Sequence, residues 1–144
     1  DTQAGDEAPE VTAAYQGMID TWASVGPVDE LAAIIATIII DDPAENAIWI
    51  QKWQSRPKEL IVEAGRCLLS RDDIHHRLAE ITCPALVVHG TEDTAITMDK
   101  AEAMAAGLVG CGGVVRVGGA HAANLTNPEP VNAAILEFLA GLPA

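Results

Sequence analysis

Residues 81 to 93 read Ile81-Thr82-Cys83-Pro84-Ala85-Leu86-Val87-Val88-His89-Gly90-Thr91-Glu92-Asp93. Ala85 to Val88 is an unbroken apolar run with β-branched residues, bounded by Pro84 and Gly90. That pattern predicts a strand covered on both faces, as in a parallel sheet. Downstream, Ala101, Met104, Ala105 and Leu108 follow helical spacing. Gly110, Gly112 and Gly113 close that helix, and Val114-Val115-Arg116-Val117 supplies a second strand. Strand, helix, strand over this length is a βαβ unit. Its parallel strands send their following loops to one edge of the sheet, about 5 Å apart if the strands are neighbours. Asp93 follows the first strand, and Gly118-Gly119-Ala120-His121 follows the second. A carboxylate there can accept the Nδ1 hydrogen of the imidazole, which leaves Nε2 free to take a proton from a nucleophile.

The rest of the chain is helical in pattern. Val11, Ala14, Tyr15, Met18, Ile19, Trp22 and Val25 lie on one helical face, with Pro9 suited to the first turn. After Gly26-Pro27, Asp29 is positioned to cap a second helix through Leu31, Ile34, Ile35, Ile38 and Ile39. Ala32, Ala33, Ala36 and Ile40 make that helix apolar almost all round, as burial on several sides requires. Past Asp41-Asp42-Pro43, Trp49 and Trp53 share a face of a third helix that Pro57 ends, and Leu60 to Leu68 suggest a fourth. A last helix opens with Asn127 as cap and Pro128 at its first position, its apolar face formed by Val131, Ile135, Phe138, Leu139 and Leu142. Two parallel strands cannot cover their own edges, so further strands are expected upstream of Asp1. The helical block from Val11 to Leu69 then reads as an insertion or lid.

Composition narrows the function classes. The chain has 144 residues, 49% hydrophobic and 20% charged, as expected of one core-forming domain. Eight Lys and Arg against 21 Asp and Glu give a net charge of −13, which repels phosphate backbones and anionic lipid, so neither nucleic acid nor a membrane surface is an expected partner. The longest apolar run, Leu31 to Ile40, is too short to span a bilayer. Cys67, Cys83 and Cys111 cannot all pair within the chain and form no Cys-x-x-Cys, which fits free thiols in a reducing cytoplasm. The start at Asp1-Thr2-Gln3, without an initiator methionine or a secretory leader, is that expected of a piece continuing a longer precursor.

Several residues have competing readings. His89, at a strand end before a glycine, reads as a packed structural residue. His75-His76 reads as a helix surface, since no further ligands stand at metal-binding spacing. Cys111 lacks a histidine and acid framing it in sequence. Trp22, Trp49 and Trp53 are either the core of the helical block or the wall of an apolar substrate cavity. Met18, Ile96 and Ala122 join them as candidate substrate contacts. No serine lies in a Gly-x-Ser-x-Gly elbow.

The segment from Cys83 to Asp93 resembles the penultimate strand and acid loop of the α/β-hydrolase family. Gly118 to Leu125, with Asn127-Pro128-Glu129 and Val131-Asn132, resembles the histidine loop and closing helix of its lactonase, esterase and haloperoxidase-like members. The order acid then base is also the family's. The implied fold is α/β: the C-terminal portion of an α/β-hydrolase, parallel strands with flanking helices plus a helical cap, completed by an N-terminal half outside this chain. Residues 1–10 are then the end of a core strand and a linker, 11–70 the cap, and 71–144 the C-terminal part of the core. The resemblance implies that Asp93 is the triad acid, in preference to Glu92, and that His121 is the general base. The expected activity is cleavage of an ester or lactone bond in a small apolar substrate, by a nucleophilic serine on the N-terminal half, with no metal or organic cofactor. Peracid-forming and carbon–carbon bond hydrolases share the scaffold, and a ligand-binding or scaffolding module without turnover is the alternative from another class.

Overall fold

A computed structural model describes residues 1–143. The chain forms two compact units. One comprises Asp1–Ala4, Ile38–Asp41 and the chain from Asp73 onward; the other comprises Gly5–Thr37 and Asp42–Asp72.

The second unit is helical. Helix α1 (Pro9–Val25) begins at its proline, and α4 (Ile61–Leu69) packs against it. Helix α2 (Asp29–Ile39), most of which lies in this unit, buries Leu31, Ala32 and Ala36. Asp29 is its first helical residue rather than its cap, and its carboxylate accepts a hydrogen bond from the Gln54 side chain at 2.8 Å. Helix α3 (Pro43–Gln54) is capped by Asp42, whose Oδ1 accepts from the amides of Ala44 and Glu45 at 3.0 and 2.9 Å. That cap satisfies two donors that a helix start leaves unpaired. Trp22 of α1 meets Trp53 of α3 with ring centroids 5.9 Å apart, and Trp49 meets Trp53 at 6.4 Å. All three rings are partly buried. Arg71 pairs with the nearly buried Glu7 carboxylate at 2.8 Å.

The first unit is built on strands β1 (Ala85–Gly90) and β2 (Cys111–Val117), paired in parallel, with α5 (Met98–Gly107) between them in sequence. From Val87↔Val114 to Gly90↔Val117 the register is regular, and one irregularity lies between Ala85 and Val87. There Gly112 and Gly113 stand opposite the single residue Leu86, a bulge. β2 therefore starts at Cys111, before the glycines that the sequence pattern assigns to a helix stop. Side chains alternate across the sheet. Val87 and Val114 pack with Ala101 and Ala105 of α5 on one face; Val88 and Val117 pack on the other with Ala123 and Val131. These last two belong to α6 (Ala123–Thr126) and α7 (Pro128–Ala140). Asn127 does not cap α7 with its side chain; its Nδ2 donates instead to the Gly118 carbonyl at 3.0 Å. His75 and His76 open a 3₁₀ turn, His75–Glu80. Residues 1–3 carry no regular secondary structure, and no described helix is long and apolar enough to cross a membrane.

Candidate active site

The loops leaving β1 and β2 are tied together before their reactive side chains are reached. The Thr91 amide donates to the Val117 carbonyl at 2.8 Å, and the Glu92 amide to the Gly119 carbonyl at 3.0 Å. In return the Gly119 amide donates to the Glu92 carboxylate. That bond first, and the Thr91 hydroxyl second, hold the Glu92 carboxyl below its ordinary range. Gly119 has φ 126°, a left-handed conformation that side chains rarely adopt. A Cβ on Gly90 would lie 2.4 Å from the carbonyl oxygens of Gly119 and Ala120, so the two backbones pass where only glycine fits.

This scaffold presents Asp93 and His121 to each other. Asp93 Oδ1 accepts from the amides of Ala95 and Ile96 at 2.8 and 3.0 Å, and Oδ2 lies 2.9 Å from His121 Nδ1. The Asp93 side chain is inaccessible to solvent, whereas that of His121 is 27% exposed. A carboxylate only accepts, so the geometry assigns the hydrogen to Nδ1 and leaves Nε2 as the basic nitrogen. His121 Nε2 makes no hydrogen bond to the described residues. An imidazole oriented by a buried acid, with its other nitrogen open, is the arrangement that general-base chemistry requires.

The other residues singled out by sequence fall in different places. Ile96 is buried, and its backbone braces both Asp93 and His89, whose Nε2 lies 2.9 Å from the Ile96 carbonyl. Ala122 follows His121, and its amide donates to the Ile39 carbonyl at 2.7 Å. Met18, Trp22, Trp49 and Trp53 belong to the helical unit. Cys111 opens β2 and so lies roughly 20 Å, at 3.3 Å per residue, from the strand end that leads to His121. Its thiol donates to the Gly113 carbonyl. The three serines, Ser24, Ser55 and Ser70, all lie in the helical unit, inside a helix or at a helix end rather than at a strand-to-helix turn. Asp1, His89 and Asp93 bring potential metal-ligating atoms within 4.8 Å of one another. Both Asp93 oxygens and His89 Nε2 are already committed, which leaves Asp1 Oδ1 and His89 Nδ1, too few for a structural zinc site.

What sequence reasoning missed is the bracing. Glu92 is set aside there as a competitor of Asp93, yet it joins the two loops. Nothing local signals this, because its partner Gly119 lies beyond a whole strand and helix.

The fold defines the class: it is part of an α/β-hydrolase fold, and the proteins that the chain matches point to that superfamily. It is 32% identical over 133 residues to "Putative carbamate hydrolase RutD" of Escherichia coli, an alignment covering 89% of this chain and 47% of that protein. Among solved structures, a thermophilic esterase from Thermogutta terrifontis superposes with a TM-score of 0.83 at 24% identity, covering 96% of this chain and 53% of the esterase. The enol-lactonase of Burkholderia xenovorans LB400 gives 0.79 at 21% identity, covering 96% and 54%. The chain thus spans about half the length of the relatives it matches. No family model matches it.

Proposed function

We propose that this chain supplies the acid and base of a serine hydrolase that cleaves an ester or lactone of a small apolar molecule. The observation that carries the reading is the 2.9 Å contact from His121 Nδ1 to a fully buried Asp93 oxygen, beyond the ends of neighbouring parallel strands. In this reading a serine outside these 144 residues attacks the substrate carbonyl. His121 Nε2 takes the serine proton and delivers it to the leaving group, while Asp93 keeps the imidazole in the right tautomer and stabilises its charged form. Water activated by the same nitrogen then releases the acyl group. A carbamate, the group named for the RutD relative, presents the same kind of acyl carbon to such a pair. The local setting of the three serines supports an outside nucleophile, since each lies inside or at the end of a helix and none at a strand-to-helix elbow. Ile96 and Ala122, close in sequence to the pair, are candidates for substrate contact in this reading, and Met18, Trp22, Trp49 and Trp53 are the candidates within the helical unit.

A fluorophosphonate probe, which reacts with activated serines, tests the reading. The full-length protein should label on a serine outside this chain, and His121→Ala should abolish labelling. Labelling of Ser24, Ser55 or Ser70, or none with the native protein, would overturn it.

A further inference from the structure

His89 is fully buried at the end of β1. A buried imidazole is costly unless its nitrogens find partners, and an apolar residue would fill the same space without that cost. Its Nε2 lies 2.9 Å from the Ile96 carbonyl, which only accepts, so Nε2 carries a hydrogen. The same nitrogen is 3.5 Å from Asp93 Oδ2, the oxygen that also accepts from His121. On the other side of the ring, Nδ1 has no hydrogen-bond partner and faces Asp1 Oδ1 at 3.7 Å. The second Asp1 oxygen accepts from the Gly90 amide at 3.0 Å. Carboxylate and imidazole therefore alternate, as His121, Asp93, His89 and Asp1, with His89 the most deeply buried.

We propose that His89 is a positioning residue for Asp93: its Nε2–H, bonded to the Ile96 carbonyl and 3.5 Å from Asp93 Oδ2, closes the acid loop and sets a positive N–H dipole beside the charge that Asp93 presents to His121. This rests on the reading of Asp93 and His121 as acid and base. Ile96 sits at the closure point, its amide donating to Asp93 Oδ1 while its carbonyl receives His89, so one imidazole fixes both where the carboxylate stands and how strongly it attracts a proton. Among the described residues, the carboxylates within 4 Å of the two imidazoles are Asp1 and Asp93; the Glu92 carboxylate is turned to Gly119 and Thr91. Removing this N–H leaves the Asp93 charge less compensated, which strengthens the hydrogen bond that Asp93 accepts from His121 Nδ1.

The test needs no turnover, so it stands or falls apart from the esterase reading, which the fluorophosphonate probe decides by itself. Histidine labelled with the NMR-active nitrogen isotope reports the protonated nitrogen of each ring in the native protein. Expected are a hydrogen on Nε2 of His89 and, in His89→Leu, a downfield shift of the His121 Nδ1–H proton, the sign of a stronger bond to Asp93. His89→Gln, whose side-chain amide can donate in the same direction, should restore the native shift. An unchanged His121 Nδ1–H resonance in folded His89→Leu, or a native His89 with its hydrogen on Nδ1 alone, would overturn the proposal. If His89→Leu does not fold, Asp93→Asn decides. It should move the Nε2 resonance of His89 together with that of His121, and a His89 resonance that stays in place sinks the idea.

Discussion

Glu92 and Gly119 are bonded to each other in both directions: the Glu92 amide donates to the Gly119 carbonyl at 3.0 Å, and the Gly119 amide donates to the Glu92 carboxylate. The residue after Glu92 is Asp93, and two residues after Gly119 comes His121. This clasp fixes the separation of Asp93 and His121 from the backbone side. In Glu92→Ala the side-chain arm is lost, and under the proposed function kcat of the full-length protein should fall several-fold with little change in KM, since what is disturbed is the alignment of His121. A steady-state comparison with the native protein checks this.

The same clasp has a definite acid limit. Its bond to Gly119 holds the Glu92 carboxyl below its ordinary value of 4.5. A lowered carboxylate stabilises the fold above that value and loses its contribution as the pH falls through the lowered one. The Gly119 amide resonance should therefore titrate with a midpoint below 4.5. A midpoint above that value would mean the bond does not form in solution.

Asp93→Asn replaces the acceptor that faces His121 Nδ1 by an amide able to present a donor there. The imidazole then settles in the wrong tautomer, and kcat should fall about 10³- to 10⁴-fold with the fold intact. Circular dichroism and turnover measured on the same sample separate the two effects.

Gly90→Ala would bring a methyl group to 2.4 Å from two backbone oxygens that have no flexible end to yield. The expected loss of stability is about 1 to 3 kcal/mol, read as a lower urea midpoint. A midpoint equal to the native one would show that the two loops are further apart than described.

Asp42→Ala removes both hydrogen bonds of the α3 cap and should cost about 1 kcal/mol, whereas Asp42→Asn should keep most of it. Thermal unfolding of the two variants side by side distinguishes loss of the cap from loss of charge.

Much of this arrangement is legible in the amino-acid sequence alone. The β-branched run at Val87-Val88 and the helical spacing of Ala101, Met104 and Ala105 are repeated local signals, and repetition makes them readable. They place Asp93 and His121 at one sheet edge. What escapes is settled by single long-range bonds. Asn127 has the composition of a helix cap, yet its amide finds Gly118; Asp29 likewise turns to Gln54. Gly112 and Gly113 look like breakers because glycine ends helices, but here they fit inside a strand as its bulge. His89 is the sharpest case. A polar residue at the end of an apolar run looks like simple packing, and only burial together with the positions of Ile96, Asp1 and Asp93 gives it a role.

The bulge opposite Leu86 bears on what lengths of chain this protein can tolerate. It takes up one surplus residue at the end of the strand pair away from Asp93 and His121, while the four pairs from Val87↔Val114 to Gly90↔Val117 remain in step. A residue gained or lost before Val87 or Val114 can be accommodated there. The same change beyond them would shift one loop against the other by about 3.3 Å, more than the reach of a hydrogen bond between acid and base. Viable length variants of this chain should therefore cluster upstream of those two valines, and a gene library of single-residue insertions would show the boundary as a sharp edge.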